Sequence, residues 1–525
     1  MDLREIKTKR PWGRMIPDPT QMHRAVADNT VLGAESEKRP AQMLYTQADM
    51  LCQYFPSSHL INSPSYYPDI QREEVLQVVD ENGYPVMDDN GNPKTTTKKY
   101  TEHVPRYAFA FQQIIANKQI VHLTGNDIQF DFSQPNQTKE NDDVLRAFRM
   151  GWLEKGMEIA FFDAVSSVKK TADGAVVGYI KGGKFGWKSL SYAKGDTLYP
   201  HFDSLTGDLI LFARAFSDYD EDATKVTDWV EVWDDQYLYR YKHDLQAEEN
   251  EPSIVSAIKN MFGLSGFRLV EKKRHGFNFV PVAYQRSEEG PAWAMAQDSI
   301  DGYELAYSQM AHNNQAFGEP ILYLQGDGVE PVHDLNGTIK VLTMGTEDKA
   351  GYLEGQSAAD SYQKQLDINY KMILKQSFCV ETPQISGNSD ISSAALKVLY
   401  ADAIEKATID ASEYQHFLDT LVRIYAYGYG MEIEKNTEFI NLPVMPWIKP
   451  YVHVNESSII NDLVQATGSG FISKQTASER ASFYGETDEW ERIIREGKEE
   501  QQADLLYQLK AAKQAQTQQT STEDE

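Results

Sequence analysis

The chain is poor in cysteine, poor in positive charge and free of long apolar runs. Its 525 residues include only two cysteines, Cys52 and Cys379, far apart and without metal-ligand spacing. That excludes a disulfide scaffold and reads as two reduced thiols in an intracellular protein. No stretch of ~18 apolar residues occurs, so no membrane span is expected. The first residues, Met1 to Lys7, lack the apolar core of a signal peptide. Basic residues number 51 against 78 acidic ones, a net charge of −27. Tight general DNA binding needs cations against phosphates, so this balance argues against it. It suits a surface along which DNA should not stick.

The motifs of common enzymes are missing too. Gly182-Gly183-Lys184 lacks the spacing of a phosphate loop and the Ser or Thr that should follow. There is no His-Glu-x-x-His and no Gly-x-Ser-x-Gly elbow. Gly326-Asp327-Gly328 is too short to signal a dinucleotide. Asp88, Asn90 and Asn92 imitate a calcium loop, but Pro93 stands where such a loop needs glycine. Asp218, Asp220, Glu221 and Asp222 do the same, with Ala223 in the glycine position. Both read as solvated turns. His275 has no nucleophile near it in sequence and reads as a structural or turn residue. No cofactor and no metal is implied. A nuclease built from scattered carboxylates remains an alternative, since 78 acids leave room for one.

With 41% apolar residues the chain can build folded cores. Residues 42–54 suit a helix with Met43, Leu44, Met50 and Leu51 inward, ended by Pro56. Asn82-Gly83 and Asn90-Gly91 supply hairpin turns in a small exposed insertion over 66–104. Residues 142–168 suit a helix with Val144, Leu145, Phe148, Trp152, Ile159, Ala160 and Ala164 on one buried stripe. Strands are expected at 176–180, 208–213, 229–233 and 236–240.

Helical periodicity then returns at 294–316 and 358–379. Between these lies a short β-rich insert, with strands at 321–324 and 338–342. A polar segment follows, Glu381-Thr382-Pro383-Gln384-Ile385-Ser386-Gly387-Asn388-Ser389-Asp390. A helical pattern then runs from 391 to 430 without proline, about 60 Å long at ~1.5 Å per residue. Ser389 or Asp390 can cap it. Beyond 455 the chain is helix-forming and increasingly polar. Residues 486–525 carry eleven acidic and five basic residues, and 511–525 has the composition of a disordered tail.

The order helix, β insert, helix, flexible loop, very long helix resembles the portal proteins of tailed bacteriophages, of the siphovirus type. The resemblance is carried by residues 298–308, Asp-Ser-Ile-Asp-Gly-Tyr-Glu-Leu-Ala-Tyr-Ser, by Ser386 to Lys397, and by Gly470-Phe471-Ile472-Ser473-Lys474-Gln475-Thr476-Ala477. It covers about residues 110–500.

The resemblance implies an α+β, mainly α, portal fold assembled as a ring, usually a dodecamer, at one capsid vertex. Its implied parts are a wing (1–295) with a β-rich platform, stem helices (296–317 and 357–380) and a small α/β clip (318–356). A tunnel loop (381–390), a long helix with the wing return (391–454) and a helical crown with an acidic tail (455–525) complete it. DNA would enter through the axis during packaging and leave during ejection. The tunnel loop, Glu381 to Asp390, would line the DNA channel. In the clip, Tyr323, Gln325, Asp327, Lys340 and Leu342 would meet the terminase large subunit and later the head-tail adaptor. The major capsid and scaffolding proteins are further implied partners. The implied location is the virion, after assembly in the host cytoplasm. Another large structural virion protein is the alternative of the same general class.

Overall fold

The computed structural model describes residues 46–508 apart from internal stretches, the longest of which are 244–266, 382–397 and 479–491. The chain divides into two compact units. One comprises residues 1–381 and 402–451, the other 382–401 and 452–525.

In the first unit, helix α1 (Gln47–Tyr54) opens with a capping box between Thr46 and Asp49 and buries Met50. Met43 and Leu44 lie outside the described residues. Strands β1 (Ile70–Gln77) and β2 (Thr95–Glu102) form the expected exposed antiparallel ribbon. Within this insertion Gly91 has φ +81°, a left-handed conformation that glycine adopts without penalty, while Asn82, Gly83 and Asn90 of the expected turns lie outside the described residues. Helix α2 (Phe111–Thr124) and strand β3 (Gln129–Phe132) follow.

The helix expected over 142–168 is two helices, α3 (Lys139–Glu154) and α4 (Met157–Thr171). Gly156, at φ +66°, breaks the pattern. The break rotates α4 relative to the extrapolated stripe. Ile159, expected inside, is 59% exposed, while Ala160, Phe161 and Ala164 are buried.

The β platform consists of two sheets. Strands β4 (Asp173–Lys181), β5 (Lys184–Leu190) and β11 (Val282–Arg286) pair in the order β11-β4-β5. The second sheet contains β6 (Thr197–Phe202), β7 (Leu209–Tyr219), β8 (Val226–Trp233), β9 (Tyr237–His243) and β10 (Phe267–Arg274). Its order is β10-β9-β8-β7-β6, antiparallel throughout, which leaves β10 at an edge among the described strands.

Helix α5 (Gln297–Phe317) leads to four short strands, β12 (Ile321–Gln325), β13 (Glu330–His333), β14 (Ile339–Thr343) and β15 (Lys349–Leu353). These make two separate antiparallel pairs, β12 with β15 and β13 with β14. Among the described residues the insert is β structure only, without the helical part of the expected α/β clip. Helix α6 (Ala359–Gln376) closes it.

The long helix is described from Ala401 as α7 (Ala401–Glu413) and α8 (Gln415–Glu432). The intervening Tyr414 is a turn, yet its N–H reaches Asp410 O at 2.9 Å and its C=O receives Leu418 N–H at 2.9 Å. Residues 391–397 lie outside the described set. Helix α8 is the centre of the unit, with Phe417, Leu418, Leu421, Ile424 and Tyr425 fully buried. Two glycines allow its close approach to the small sheet. A Cβ on Gly428 would stand 2.1 Å from Phe185, and one on Gly178 would stand 2.4 Å from Ile424. A short helix, α9 (Thr437–Ile440), and strand β16 (Val444–Trp447) return the chain to β3.

In the second unit, helix α10 (Glu456–Gly468) is followed by Gly470 at φ +73°.

Candidate functional site

The structure describes only the first residue of the expected tunnel loop. Glu381 follows α6, and Thr382 to Asp390 lie outside the described residues. Of the expected clip contacts, Tyr323 and Gln325 sit on β12, opposite Gly351 and Lys349. Lys340 and Leu342 sit on β14, in the other pair, with Leu342 opposite Pro331. Asp327 lies outside the described residues. The two groups therefore belong to different strand pairs.

What the structure does show is how both flanks of the loop are fixed. Helix α6 ends with Ser377 bonding back to Ile373 O at 2.7 Å and Cys379 N–H reaching Leu374 O at 3.0 Å. Phe378 turns the chain at φ +56°, a left-handed conformation in which a side chain costs about 1–2 kcal/mol. Helix α2 holds this strained exit. Gln119 Nε2 donates to Ser377 O at 2.9 Å, and Lys118 Nζ donates to Val380 O. Tyr370 O–H reaches Glu381 Oε1 at 3.4 Å.

The returning flank is α7, whose buried stripe is Ala403, Ala407 and Asp410. Asp410 is an acid on an otherwise apolar stripe, and it meets Lys169 from α4. Lys169 Nζ lies 2.6 Å from Asp410 Oδ2 and 3.0 Å from Gln119 Oε1. Lys406 Nζ reaches Asp410 Oδ1 at 3.2 Å and Glu289 at 3.1 Å. Gln119 thus links the outgoing flank to Lys169, which in turn holds the returning flank. Phe378 and Cys379 share the lining of one cavity of about 10 Å³ with Ala403 and Ala407, room for about one water molecule.

Burial pulls the Lys169 ammonium below its ordinary range, against the attraction of Asp410. Lys406 is pulled down by burial too, but Asp410 and Glu289 together raise it. Burial pushes the Cys379 thiol up, so it is not an activated nucleophile.

The helices flanking the insert pack as a pair. Ser299 Oγ donates to Gln376 Oε1 at 2.9 Å, and Gly302 lets Asn369 approach. Ile300 and Ile373 are fully buried. Glu304 on α5 is buried as well, taking the Phe109 N–H at 2.8 Å and His59 Nδ1 at 2.7 Å. His59 Nε2 faces Gln53 O at 2.7 Å, so both ring nitrogens meet acceptors. The imidazolium satisfies both, and Glu304 raises the His59 pKa despite the opposing effect of burial.

His275 is structural. Its Nδ1 accepts the Phe277 N–H at 3.2 Å, its Nε2 faces Asp234 O at 3.1 Å, and burial lowers its pKa. Among the described residues no group of three or more His, Cys, Asp or Glu side chains is placed to hold a metal ion. Asp220, Glu221 and Asp222 lie outside them.

Sequence reasoning missed the Lys169–Asp410–Lys406 clamp. The readable signal was Asp410 itself, three or four residues from Ala407 and Tyr414 on the apolar face.

Comparison with known proteins completes the picture. No curated protein sequence matches. Among solved structures, the chain is similar to one titled "Neck of empty GTA particle computed with C6 symmetry". That likeness covers 71% of this chain and 88% of the other at 8% identity, with a TM-score of 0.36. The family described as "Phage portal protein, SPP1 Gp6-like" matches residues 65–503, and the chain belongs to that family, a structural component of the phage particle.

Proposed function

We propose that the chain forms a closed ring, twelve copies in the family's usual form, at one capsid vertex. DNA passes along its axis during packaging and ejection. The insert between α5 and α6 docks the terminase large subunit and then the head-tail adaptor. The outer parts meet the major capsid and scaffolding proteins during assembly in the host cytoplasm. The chain is the channel, and the packaging motor supplies hydrolysis. The observation that carries this reading is the family match over 65–503. The α5/α6 pair adds support, because Ile368 on α6 is 61% exposed and Met372 beside it 41%. Such apolar surface is covered when neighbouring subunits pack against it. Subunit counting on purified particles by electron microscopy tests the ring, and a chain that stays monomeric at micromolar concentration overturns it.

Residues 381–390 line the narrowest point in this reading. The loop has no Lys or Arg, so it offers passing phosphates no cation and little friction. A Ser386→Lys/Asn388→Lys variant adds cations at every subunit. Rings form as before, while packaging slows, most strongly at low salt. Normal packaging by this variant at every salt concentration removes the loop from the channel.

A further inference from the structure

We propose that the β9–β10 edge of the large sheet is a cationic docking strip for the sugar-phosphate backbone of duplex DNA. The proposal stands on local charge and does not rest on the tunnel assignment. Strands β9 and β10 carry Arg240, Lys242, Arg268, Lys272, Lys273 and Arg274 against one acid, Glu271. That is a local net charge of +5 in a chain of −27.

The register sorts these cations onto both faces of the edge. Arg268 lies opposite Lys242, Glu271 opposite Arg240 and Lys273 opposite Leu238, so these share one face. Lys272 and Arg274 lie opposite Tyr239 and Tyr237 on the other. All six residues from Arg268 to Arg274 other than Leu269 are exposed.

How the cations are held separates this strip from an ordinary charged surface. Lys272 Nζ stands 4.2 Å from the Tyr237 ring centroid and 5.0 Å from that of Tyr239. The Arg274 guanidinium stands 5.5 Å from Tyr237, and Lys242 Nζ stands 5.6 Å from Trp229. Aromatic faces orient these groups without neutralising them. Among the described residues no carboxylate comes within ion-pair distance of Lys242, Lys272, Lys273 or Arg274. The nearby acids are held by Arg240, which also meets Glu271 at 3.5 Å and is thereby a neutralised member of the strip, and by residues outside it. Glu231 pairs with Arg240 at 2.9 Å and Arg214 at 3.3 Å, and Asp228 accepts from Ser217 at 2.6 Å.

Size fits the ligand. Six residue steps along β10 span about 20 Å, and a duplex carries one negative charge per ~1.7 Å of axis. About twelve phosphates fall within that span, and the four cations without an ion pair, Lys242, Lys272, Lys273 and Arg274, can meet about four of them. Charged side chains also protect edge strands against pairing with another chain. That role alone needs one or two lysines, not matched cations on the adjoining strand as well.

The test uses the full chain and a fluorescent duplex of ~25 base pairs, followed by anisotropy from ~50 to ~200 mM salt. The expected loss of affinity over that range is roughly 100-fold for four phosphate contacts. The variant Lys272→Glu/Lys273→Glu/Arg274→Glu is compared with Arg72→Glu/Lys98→Glu/Lys99→Glu on the exposed β1–β2 ribbon. Both change the total charge equally. The edge variant should bind at least ~10-fold more weakly and show a shallower salt slope, with the ribbon variant near wild type. If circular dichroism shows that the glutamates disturb the sheet, the Gln versions of the same three residues replace them. Absence of wild-type binding at the lowest salt, or equal losses in the two triple variants, overturns the proposal. So does poly-glutamate binding at the strip where duplex does not bind, which would make the partner an acidic protein.

Discussion

Asn in place of Asp410 removes the centre of the clamp while keeping its shape. The Lys169–Asp410 separation of 2.6 Å corresponds to about 6 kcal/mol of attraction at an effective dielectric of ~20. Most of that attraction offsets the cost of burying the two groups, which are 9% and 2% exposed at their side chains. The net worth of the intact pair is therefore small, but the cost of breaking it is not. The Asp410→Asn variant leaves Lys169 buried without a counter-charge, and about 3–5 kcal/mol of stability is lost. Lys169→Met costs less, because Asp410 keeps Lys406 at 3.2 Å. The double variant Lys169→Met/Asp410→Leu should return to within about 2 kcal/mol of wild type, since an apolar pair of similar volume suits the site.

Urea unfolding at fixed protein concentration, followed by circular dichroism, measures these differences through the midpoint at constant slope. The single variants should also expose residues 382–397 to faster limited proteolysis, because the clamp fixes α7 beside Phe378 and Cys379. Raising salt should leave the wild-type pair almost unchanged, as buried charges are little screened. A loss under ~1 kcal/mol for Asp410→Asn, or singles that simply add in the double variant, refutes the clamp.

Three further outcomes follow from other parts of the fold. Burial raises the Glu158 pKa to about 7; a carboxyl shifted upward costs nothing below its ordinary value near 4.5 and most above 7. Glu158→Gln keeps an acceptor for Trp152 Nε1 and Ile128 N–H. It should match wild type near pH 4.5 and exceed it by about 1–3 kcal/mol at pH 8, allowing for residual solvent contact; a gain that does not grow with pH contradicts this. Gly428→Ala should destabilise by about 2 kcal/mol, since its Cβ would stand 2.1 Å from Phe185. A gain of about 1 kcal/mol, as helix propensity alone gives, would show that the approach is not tight. In the proposed ring, subunits of charge −27 repel one another, so ring yield by native mass spectrometry should rise with ionic strength. A yield that falls with salt means that ion pairs between subunits, and not apolar contacts, hold the ring.

Much of this fold is legible in the sequence where a single physical signal dominates. Gly91 marks a bend because few residues other than glycine take its positive φ. The runs at 208–213 and 229–233 read as strands because their apolar and β-branched residues have no helical period. The helical period at 294–316 and 358–379 marks the helix pair. Elsewhere two signals compete. The helical stripe over 142–168 runs across Gly156, and extrapolating it through that glycine places Ile159 on the wrong face. Strand β10, Phe-Arg-Leu-Val-Glu-Lys-Lys-Arg, was missed because an edge strand has little apolar alternation to display. Strand β5 was missed for a similar reason, with three of its seven residues glycine or lysine at 184–188. The clamp joins residues 241 apart, and no local pattern couples Lys169 to Asp410.

In the proposed channel, a loop that yields to passing DNA needs fixed ends more than a fixed middle. Movement at the ends would spread into the helices that carry the insert and into the core around α8. Apolar packing alone tolerates small slides, since its energy varies smoothly with contact area. A buried ion pair does not, because displacing either partner leaves a charge without compensation. Lys169 is contributed by α4, packed under the small sheet, and Asp410 by the returning flank. Gln119 then bridges Lys169 to Ser377 on the outgoing flank. One buried lysine therefore references both flanks to the same helix. The pair adds little net stability but fixes both flanks of residues 382–397 to the same helix, and that is the property the proposed constriction requires of each subunit.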